Sequence, residues 1–215
     1  MDTAVLTLRP AKPADLPALE SLVAGLSMVA RAQRFFAPVS SLPGMLAEAL
    51  RRDDPLHRFV VVDTPAGNIA GFAEYAIDPA SPDTCNVAVA VGDGWQRRGL
   101  GLALLRQVIV DAERRGLATA VGEVLRHNRA MLALARRVGF EIGAYPGYAT
   151  LVRITRRGAG GGPAAAAGPP GSGSGERSNS SSAECSVDGS IGLRMSLRTP
   201  LRRSSSAPNT AASPV

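Results

Sequence analysis

The junction at residues 89–103, Val-Ala-Val-Gly-Asp-Gly-Trp-Gln-Arg-Arg-Gly-Leu-Gly-Leu-Ala, constrains the fold of this chain more than any other segment. An apolar strand runs into a polar loop, and Gly99 and Gly101 then begin a long helix. The first four N–H groups of a helix lack internal partners, and the helix dipole is positive at that end. Glycines let a diphosphate approach these amides closely, and Arg97 and Arg98 add positive charge. The junction therefore predicts a binding site for a phosphorylated ligand.

The glycine spacing of this junction differs from the spacing in two common phosphate loops. The pattern Gly-x-x-x-x-Gly-Lys-Ser/Thr of a P-loop is absent from the sequence. Leu104 occupies the position of the third glycine in a dinucleotide-binding fingerprint. The sequence also lacks a Gly-x-Ser-x-Gly nucleophile elbow, which argues against a serine hydrolase.

Alternating and helical hydrophobic patterns predict an α+β (mixed α/β) fold. Strands are expected at residues 5–9, 59–62, 69–77, 86–91, 118–125, 140–142 and 148–154. Helices are expected at residues 16–23, 28–36, 45–51, 100–114 and 129–137. This order describes a strand, three helices and a three-strand meander, followed by a helix that crosses between neighbouring strands.

Apolar residues are dense up to residue 154 and sparse after it, so we expect a single folded domain at residues 1–156. From residue 157 to residue 215 the chain is rich in Gly, Ala, Pro and Ser and carries several arginines. Such a composition buries too little apolar surface to offset the entropy of ordering. We therefore predict a disordered basic tail at residues 157–215.

The net charge of +6 raises the question of a nucleic-acid partner. Lys12 is the only lysine, the arginines are scattered, and aromatic residues make up 4% of the chain, so a nucleic-acid surface is disfavoured and an anionic cofactor fits better. Cys85 and Cys185 have no metal-ligand spacing, so no metal site is expected. The sequence contains no apolar run long enough for a membrane span and no signal peptide, which favours a cytoplasmic protein without a membrane partner.

Two motifs, taken together, resemble a known family. The segment from Gln96 to Gly101 resembles the diphosphate loop of GCN5-related N-acetyltransferases (the GNAT superfamily), which has the pattern Gln/Arg-x-x-Gly-x-Gly/Ala. Asn128 follows Gln96 by 32 residues and begins a helix that ends in Gly139-Phe140, which resembles the family's second cofactor helix. Residues 34–39, 93–96 and 121–125 are further similar to the GNAT domain of bacterial Pat-type protein lysine acetyltransferases.

This resemblance implies a central, mostly antiparallel sheet that is splayed at the cofactor site and flanked by helices on both faces. It implies acetyl-CoA as co-substrate and an amine as acceptor, with protein lysine side chains expected first. Acetylation of a small amine and a non-catalytic acyl-CoA-binding regulatory module are the alternatives. The oligomeric state stays open. The cofactor-binding residues that the resemblance implies are Val89, Val91, Gln96, Arg97, Arg98, Gly99, Gly101, Leu102 and Asn128.

The catalytic residues are harder to assign, because this sequence has no glutamate at the position of the family's general base. Lysine has a pKa near 10.4, so at neutral pH its deprotonation costs about 4 kcal/mol, at about 1.36 kcal/mol per pKa unit. In Pat-type enzymes a glutamate occupies the strand position aligned with Asn86, and an amide cannot take that proton, although it can position a water. Glu123 and Glu74, on neighbouring predicted strands, are the substitute candidates, although both also suit a solvated strand face.

Three further residues are assigned ordinary roles. The family's general-acid tyrosine is replaced by Ala135, as in other Pat-type sequences. His57 and His127 are isolated in the sequence, so we predict that they have surface or capping roles.

Overall fold

The computed structural model describes residues 6–37 and 39–158, so the predicted tail lies outside the described residues from position 159 onwards. The seven strands are β1 (Thr7–Pro10), β2 (His57–Asp63), β3 (Ile69–Asp78), β4 (Ser81–Val91), β5 (Thr119–Leu125), β6 (Glu141–Ala144) and β7 (Leu151–Arg157). The helices are α1 (Leu16–Gly25), α2 (Met28–Phe35), α3 (Gly44–Arg51), α4 (Leu100–Arg114) and α5 (Arg129–Arg137). The bounds of α4 and α5 are those that the sequence predicts.

All seven strands form one sheet in the order β1-β2-β3-β4-β5-β7-β6. Every neighbouring pair is antiparallel except β4 and β5, which are parallel and are joined by α4 as the predicted crossover helix. The β4–β5 pairing ends with Asn86 opposite Val121, although β4 continues to Val91 and β5 to Leu125. The two strands therefore part and leave a gap in the middle of the sheet. This confirms the predicted mostly antiparallel, splayed sheet.

Helices cover both faces of the sheet, because successive strand residues point to opposite sides. In β2, Val60 and Val62 belong to the core shared with α4 and α5, whereas Phe59 and Val61 belong to the core shared with α1 and α3. Both cores are apolar, and burying them is the main free-energy gain that holds the helices on the sheet. The predicted flanking of the sheet on both faces is confirmed.

Cys85 is the free cysteine of the described residues, and it lies fully buried in β4. It belongs to the same apolar cluster as Ile109 and Ala112 of α4. Burial raises the pKa of the Cys85 thiol to about 12. At neutral pH the side chain is therefore an unreactive thiol rather than a thiolate.

Of the helices in the described part of the chain, none combines the length and the apolar content that crossing a bilayer demands.

Candidate active site

The start of α4 presents a row of unused backbone donors. Gly99 caps the helix in the left-handed conformation (φ 84°), and Arg97 also has a positive φ of 56°. Within residues 6–37 and 39–158, no group accepts a hydrogen bond from the five backbone N–H groups from Arg97 to Gly101. The first amide to find a partner is that of Leu102, which donates to the Gly99 carbonyl at 3.0 Å. This loop can therefore surround an anion with N–H groups at the positive end of the helix dipole.

A cleft of about 220 Å³ opens at this loop, between the start of α4 and the exposed side of α5. Six predicted cofactor residues line it together, namely Val91, Gln96, Arg97, Gly99, Gly101 and Leu102. The opposite wall consists of Ala130, Ala133, Leu134 and Arg137 of α5. Arg137 was missed by the sequence reasoning, because nothing distinguishes it from the other scattered arginines. The predicted residues Val89, Arg98 and Asn128 lie outside the lining of this cleft.

The loop is held in place by contacts on both of its sides. The Gln96 amide Nε2 donates to the Val91 carbonyl at 3.3 Å, and the Arg98 guanidinium lies 5.0 Å from the centre of the Trp95 ring. Asp93 accepts hydrogen bonds from the backbone N–H (2.8 Å) and the hydroxyl (2.9 Å) of Ser27, the residue that caps α2. These two hydrogen bonds connect the loop before α4 to the start of α2.

Val89 and Val91 of β4 are two of the predicted cofactor-binding residues. Their backbone groups face the gap between β4 and β5. The Gly92 N–H donates to the Ala70 carbonyl of β3 at 2.9 Å. Because backbone groups alternate in direction along a strand, those of Val89 and Val91 point away from β3 and into the gap. An extended ligand chain in the gap could pair with them as an additional strand would.

Asn128 lies at the start of α5, directly after β5 and the gap. Its side-chain Oδ1 accepts the Met131 N–H at 3.0 Å and so caps the helix. Its Nδ2 is buried and has no hydrogen-bond partner among the described residues, and the whole residue is 4% exposed. Leaving a buried donor without a partner costs about 1–3 kcal/mol. The amide is therefore a donor to which a ligand could supply the acceptor.

Glu74 is fully buried on β3, and both of its carboxylate oxygens are occupied. One oxygen forms an ion pair with Arg34 of α2, and the other lies 2.8 Å from Nε2 of His57 on β2. The Arg34 guanidinium also lies over the rings of Phe35 (4.7 Å) and Phe72 (5.5 Å). The side chains form a closed ionic cluster under α2.

This cluster corrects two expectations from the sequence. Glu74 does not lie on a solvated strand face, and His57 does not have a surface role, since it is only 7% exposed. This cluster has no sign in the sequence, because Arg34, which contacts Glu74 from α2, is 40 residues away from it along the chain. Burial, followed by the charge of Arg34, lowers the pKa of His57 to about 4, and burial lowers the pKa of Arg34 to about 9. At neutral pH the histidine is therefore neutral and the arginine is charged.

Glu123 lies on β5 two residues beyond the last β4–β5 pair, so it borders the gap. It is 2% exposed, so it does not lie on a solvated strand face, and Arg153 on β7 lies 3.8 Å from its carboxylate. Tyr145, in the connection between β6 and β7, lies near this pair: burial, and then the charge of Glu123, raises its pKa. The sequence reasoning missed Arg153, because only the register of β5 and β7 places it opposite Glu123. It also missed Tyr145, which lies in the connection between β6 and β7 and has no local signal.

Asn86, the third predicted catalytic residue, is half-buried on β4 at the pair where β4 and β5 part. It and Glu123 therefore stand at the same widening of the sheet. Glu74 lies one strand further away, on β3, and is closed off by its own ionic cluster.

Comparison with known sequences and structures identifies several similar proteins. Residues 27–140 match the sequence model of the acetyltransferase (GNAT) family. The ribosomal protein bS18-alanine N-acetyltransferase of Escherichia coli (strain K12) is 39% identical over 79 residues, which are 36% of this chain and 51% of that protein. The L-methionine sulfoximine/L-methionine sulfone acetyltransferase of Pseudomonas paraeruginosa is 34% identical over 86 residues, or 39% of this chain and 50% of that protein. The chain thus spans about half the length of the curated relatives it matches.

A solved structure gives the same result for the fold. The GNAT domain of S. lividans PAT superposes with a TM-score of 0.63 at 25% sequence identity, and the match covers 70% of this chain and 89% of that domain. The mixed α+β fold predicted from the sequence motifs is therefore confirmed.

Proposed function

This chain belongs to the acetyltransferase (GNAT) family, whose sequence model covers more than half of it, and on that premise we propose that it transfers an acetyl group from acetyl-CoA to a primary amine. One observation carries the proposal: the gap between β4 and β5 joins the amide-lined start of α4 to a buried carboxylate, Glu123. An ADP-containing thioester fits this layout, with its diphosphate at α4 and its extended arm in the gap.

The proposed cofactor contacts follow the order of the ligand's parts. The backbone amides from Arg97 to Gly101 bind the diphosphate, and Arg97 and Arg98 add charge. The arm pairs with the backbone of Val89 and Val91, while Gln96 and Leu102 shape the loop end of the cleft. The Nδ2 of Asn128 donates to a carbonyl of the arm.

Replacing Gly101 with leucine is expected to weaken acetyl-CoA binding about ten- to a hundredfold, because the side chain would keep the diphosphate from one or two of its amide hydrogen bonds, each worth about 1.5–3 kcal/mol. Isothermal titration calorimetry measures the change. The matched control is Gly44→Leu, which places the same side chain in the first turn of α3, away from the loop. Equal affinities for Gly101→Leu and the unmodified protein would contradict the assignment of this loop.

The variant Asn128→Asp separates the capping role of Asn128 from its proposed ligand role. Aspartate keeps the oxygen that accepts the Met131 N–H, so we expect the melting temperature to stay nearly unchanged. It lacks the Nδ2 donor and adds a negative charge, so acetyl-CoA affinity should fall by about tenfold or more. The comparison variant Asn128→Ala should lose both properties. If Asn128→Asp bound acetyl-CoA normally, the buried amide would have no part in cofactor binding.

Glu123 is the proposed general base among the three catalytic candidates. It borders the gap, whereas both oxygens of Glu74 are held by Arg34 and His57. Asn86 cannot accept a proton at a useful pH, so we propose that it positions the acceptor or a water at the widening of the sheet.

Protein lysine side chains are the proposed acceptor, supported by the likeness of the chain to Pat-type sequences and to the S. lividans PAT domain. The names of the two curated relatives favour two other amines, the α-amine of a protein alanine and that of a small amino-acid analogue. Three substrates distinguish them when incubated with labelled acetyl-CoA: an N-terminally blocked lysine peptide, a lysine-free peptide beginning with alanine, and methionine sulfone. Tight cofactor binding without product from any of these amines would favour the non-catalytic regulatory module.

A further inference from the structure

Glu123 lies on the face of the sheet opposite the proposed cofactor cleft. Side chains alternate along a strand, and Val124 of β5 packs in the core shared with α4 and α5. Its neighbour Leu125 packs instead against Phe36 at the end of α2. Glu123 points to the same side as Leu125, whereas the cleft is lined by α4, α5 and the loop before α4. With the cofactor in that cleft, an acceptor reaches Glu123 from the α2 face.

Arg153 of β7 lies beside Glu123 on this face. The two residues are directly paired across β5 and β7, and the guanidinium is 3.8 Å from the carboxylate, which is longer than a hydrogen bond. The Arg153 side chain is 46% exposed, so part of it faces solvent next to a buried carboxylate. A guanidinium has five N–H donors, and an ion pair at this distance leaves donors for a second carboxylate.

The Arg153 guanidinium is oriented by its surroundings. It lies over the Tyr145 ring, 5.1 Å from the ring centre, and this ring packs against the buried cluster of Phe36, Leu125 and Leu151. Its strand, β7, is paired on both sides, with β5 and with β6. An arginine stacked on an aromatic ring keeps the edge of its guanidinium available for a bidentate contact with a carboxylate. Arg153 is therefore a preorganised anion-binding group beside the proposed base.

The charges at this entrance favour an acceptor with a carboxylate close to its amine. Glu123 attracts the acceptor ammonium group but repels a carboxylate next to it. Arg153 offsets that repulsion, and residues 145–150, which connect β6 to β7, contain no acidic side chain that would oppose it. A carboxylate near the acceptor amine is thus stabilised by Arg153, where Glu123 alone would disfavour it.

We propose that Arg153 selects acceptors that carry a carboxylate close to the reacting amine. This inference rests on the proposed function and defines its acceptor class more closely. In a protein acceptor, the carboxylate belongs to an acidic residue next to the lysine. The four-carbon stem of lysine lets its amine enter the gap while its backbone stays at the surface, where Arg153 is exposed. In a free amino acid, the α-carboxylate has the same role.

Two pairs of acceptors that differ only in a carboxylate test the proposal. The first pair is an N-terminally blocked peptide whose single lysine is flanked on both sides by aspartate or by asparagine. The second pair is methionine sulfone and its amide. For each pair, the measured quantity is kcat/KM for the carboxylate form divided by kcat/KM for the amide form. We expect Arg153→Gln to lower this ratio about tenfold in at least one pair, which is the effect of losing one charge-assisted hydrogen bond.

The ratio separates the proposed contact from other effects of the substitution. Loss of the guanidinium can also change proton transfer to Glu123, but that change acts on both members of a pair and cancels. The matched control is Arg157→Gln, which removes an exposed arginine further along β7, where it pairs with Glu141. Its ratios should equal those of the unmodified protein. In the unmodified protein the preference should weaken as salt is added, because ions screen a partly exposed contact.

The outcomes distinguish the source of the carboxylate. A lower ratio for the peptide pair alone would identify an acidic protein segment, and a lower ratio for the second pair alone would identify a free amino acid. Unchanged ratios in both pairs would overturn the role of Arg153 while acetyl transfer, and hence the proposed function, still stood. If the unmodified protein acetylated no member of either pair, the proposed transfer to these amines would fail and this inference with it.

Discussion

Replacing Glu123 with glutamine is expected to lower the rate of acetyl transfer by about a hundred- to ten-thousandfold. Glutamine has nearly the same shape but cannot take a proton from the acceptor. The partner Arg153 has a side chain that is 46% exposed, so water can solvate it after the carboxylate is lost, and the fold should tolerate the change. Steady-state kinetics with a lysine peptide and calorimetry with acetyl-CoA would separate lost catalysis from lost binding. We expect kcat to fall and the cofactor affinity to remain.

A second glutamate provides the control for Glu123→Gln. Glu141 on the edge strand β6 is exposed and lies 3.8 Å from Arg157, so Glu141→Gln removes one negative charge without touching the gap. Its kcat should match that of the unmodified protein, because an exposed pair of this kind contributes little. If Glu123→Gln retained full activity, Glu123 would be excluded as the base and Asn86, through a bound water, would become the main candidate.

Replacing Glu74 with methionine is expected to reduce the free energy of unfolding by about 3–5 kcal/mol, because Arg34 would be left as a buried charge without its anion. That loss is a large share of the total for a domain, which is about 5–15 kcal/mol. Arg34→Met should cost a similar amount for the opposite reason, since Glu74 would then be a buried charge with only the neutral His57 beside it. Urea denaturation followed by circular dichroism measures both variants.

The double variant Arg34→Met/Glu74→Met decides whether the two charges act as a pair. Apolar side chains of similar volume often replace a buried ion pair at little cost. The double variant should therefore be more stable than either single variant, which gives a positive coupling in the double-mutant cycle. Additive losses would show that the two side chains stabilise the fold independently. An exposed pair, Glu48 and Arg51 of α3, serves as reference, and its removal should change stability by less than about 1 kcal/mol.

The sequence predicts the elements whose signals are local. The helix α4 begins after a left-handed Gly99 and is followed by Gly116 in the same conformation, and Asn128 caps α5, so these bounds could be read from single residues. The last two strands were displaced by one to three residues in the prediction. The residues of β6 are mostly exposed and have no apolar alternation to fix its ends.

The parts of the candidate site also differ in whether they have a local sequence signal. The amide-lined loop is encoded within residues 96–102 and was predicted from its two glycines, the adjacent arginines and the resemblance of this motif to a known diphosphate loop. The ionic cluster of Arg34, His57 and Glu74 joins residues from α2, β2 and β3, and each of them looks ordinary in its own segment. Arg153 lies opposite Glu123 only because β7 pairs with β5 in a particular register. Contacts of this kind depend on tertiary structure and have no local signal.

The protected sulfur of Cys85 offers a practical advantage for measuring turnover. A colorimetric disulfide reagent reacts with thiolates, so it should detect the coenzyme A released by each acetyl transfer and ignore a thiol whose pKa is raised to about 12. The sequence contains one other cysteine, Cys185, and its replacement by serine would leave the protein without a thiol that competes for the reagent. Product formation could then be followed continuously, with a background that reflects only spontaneous thioester hydrolysis.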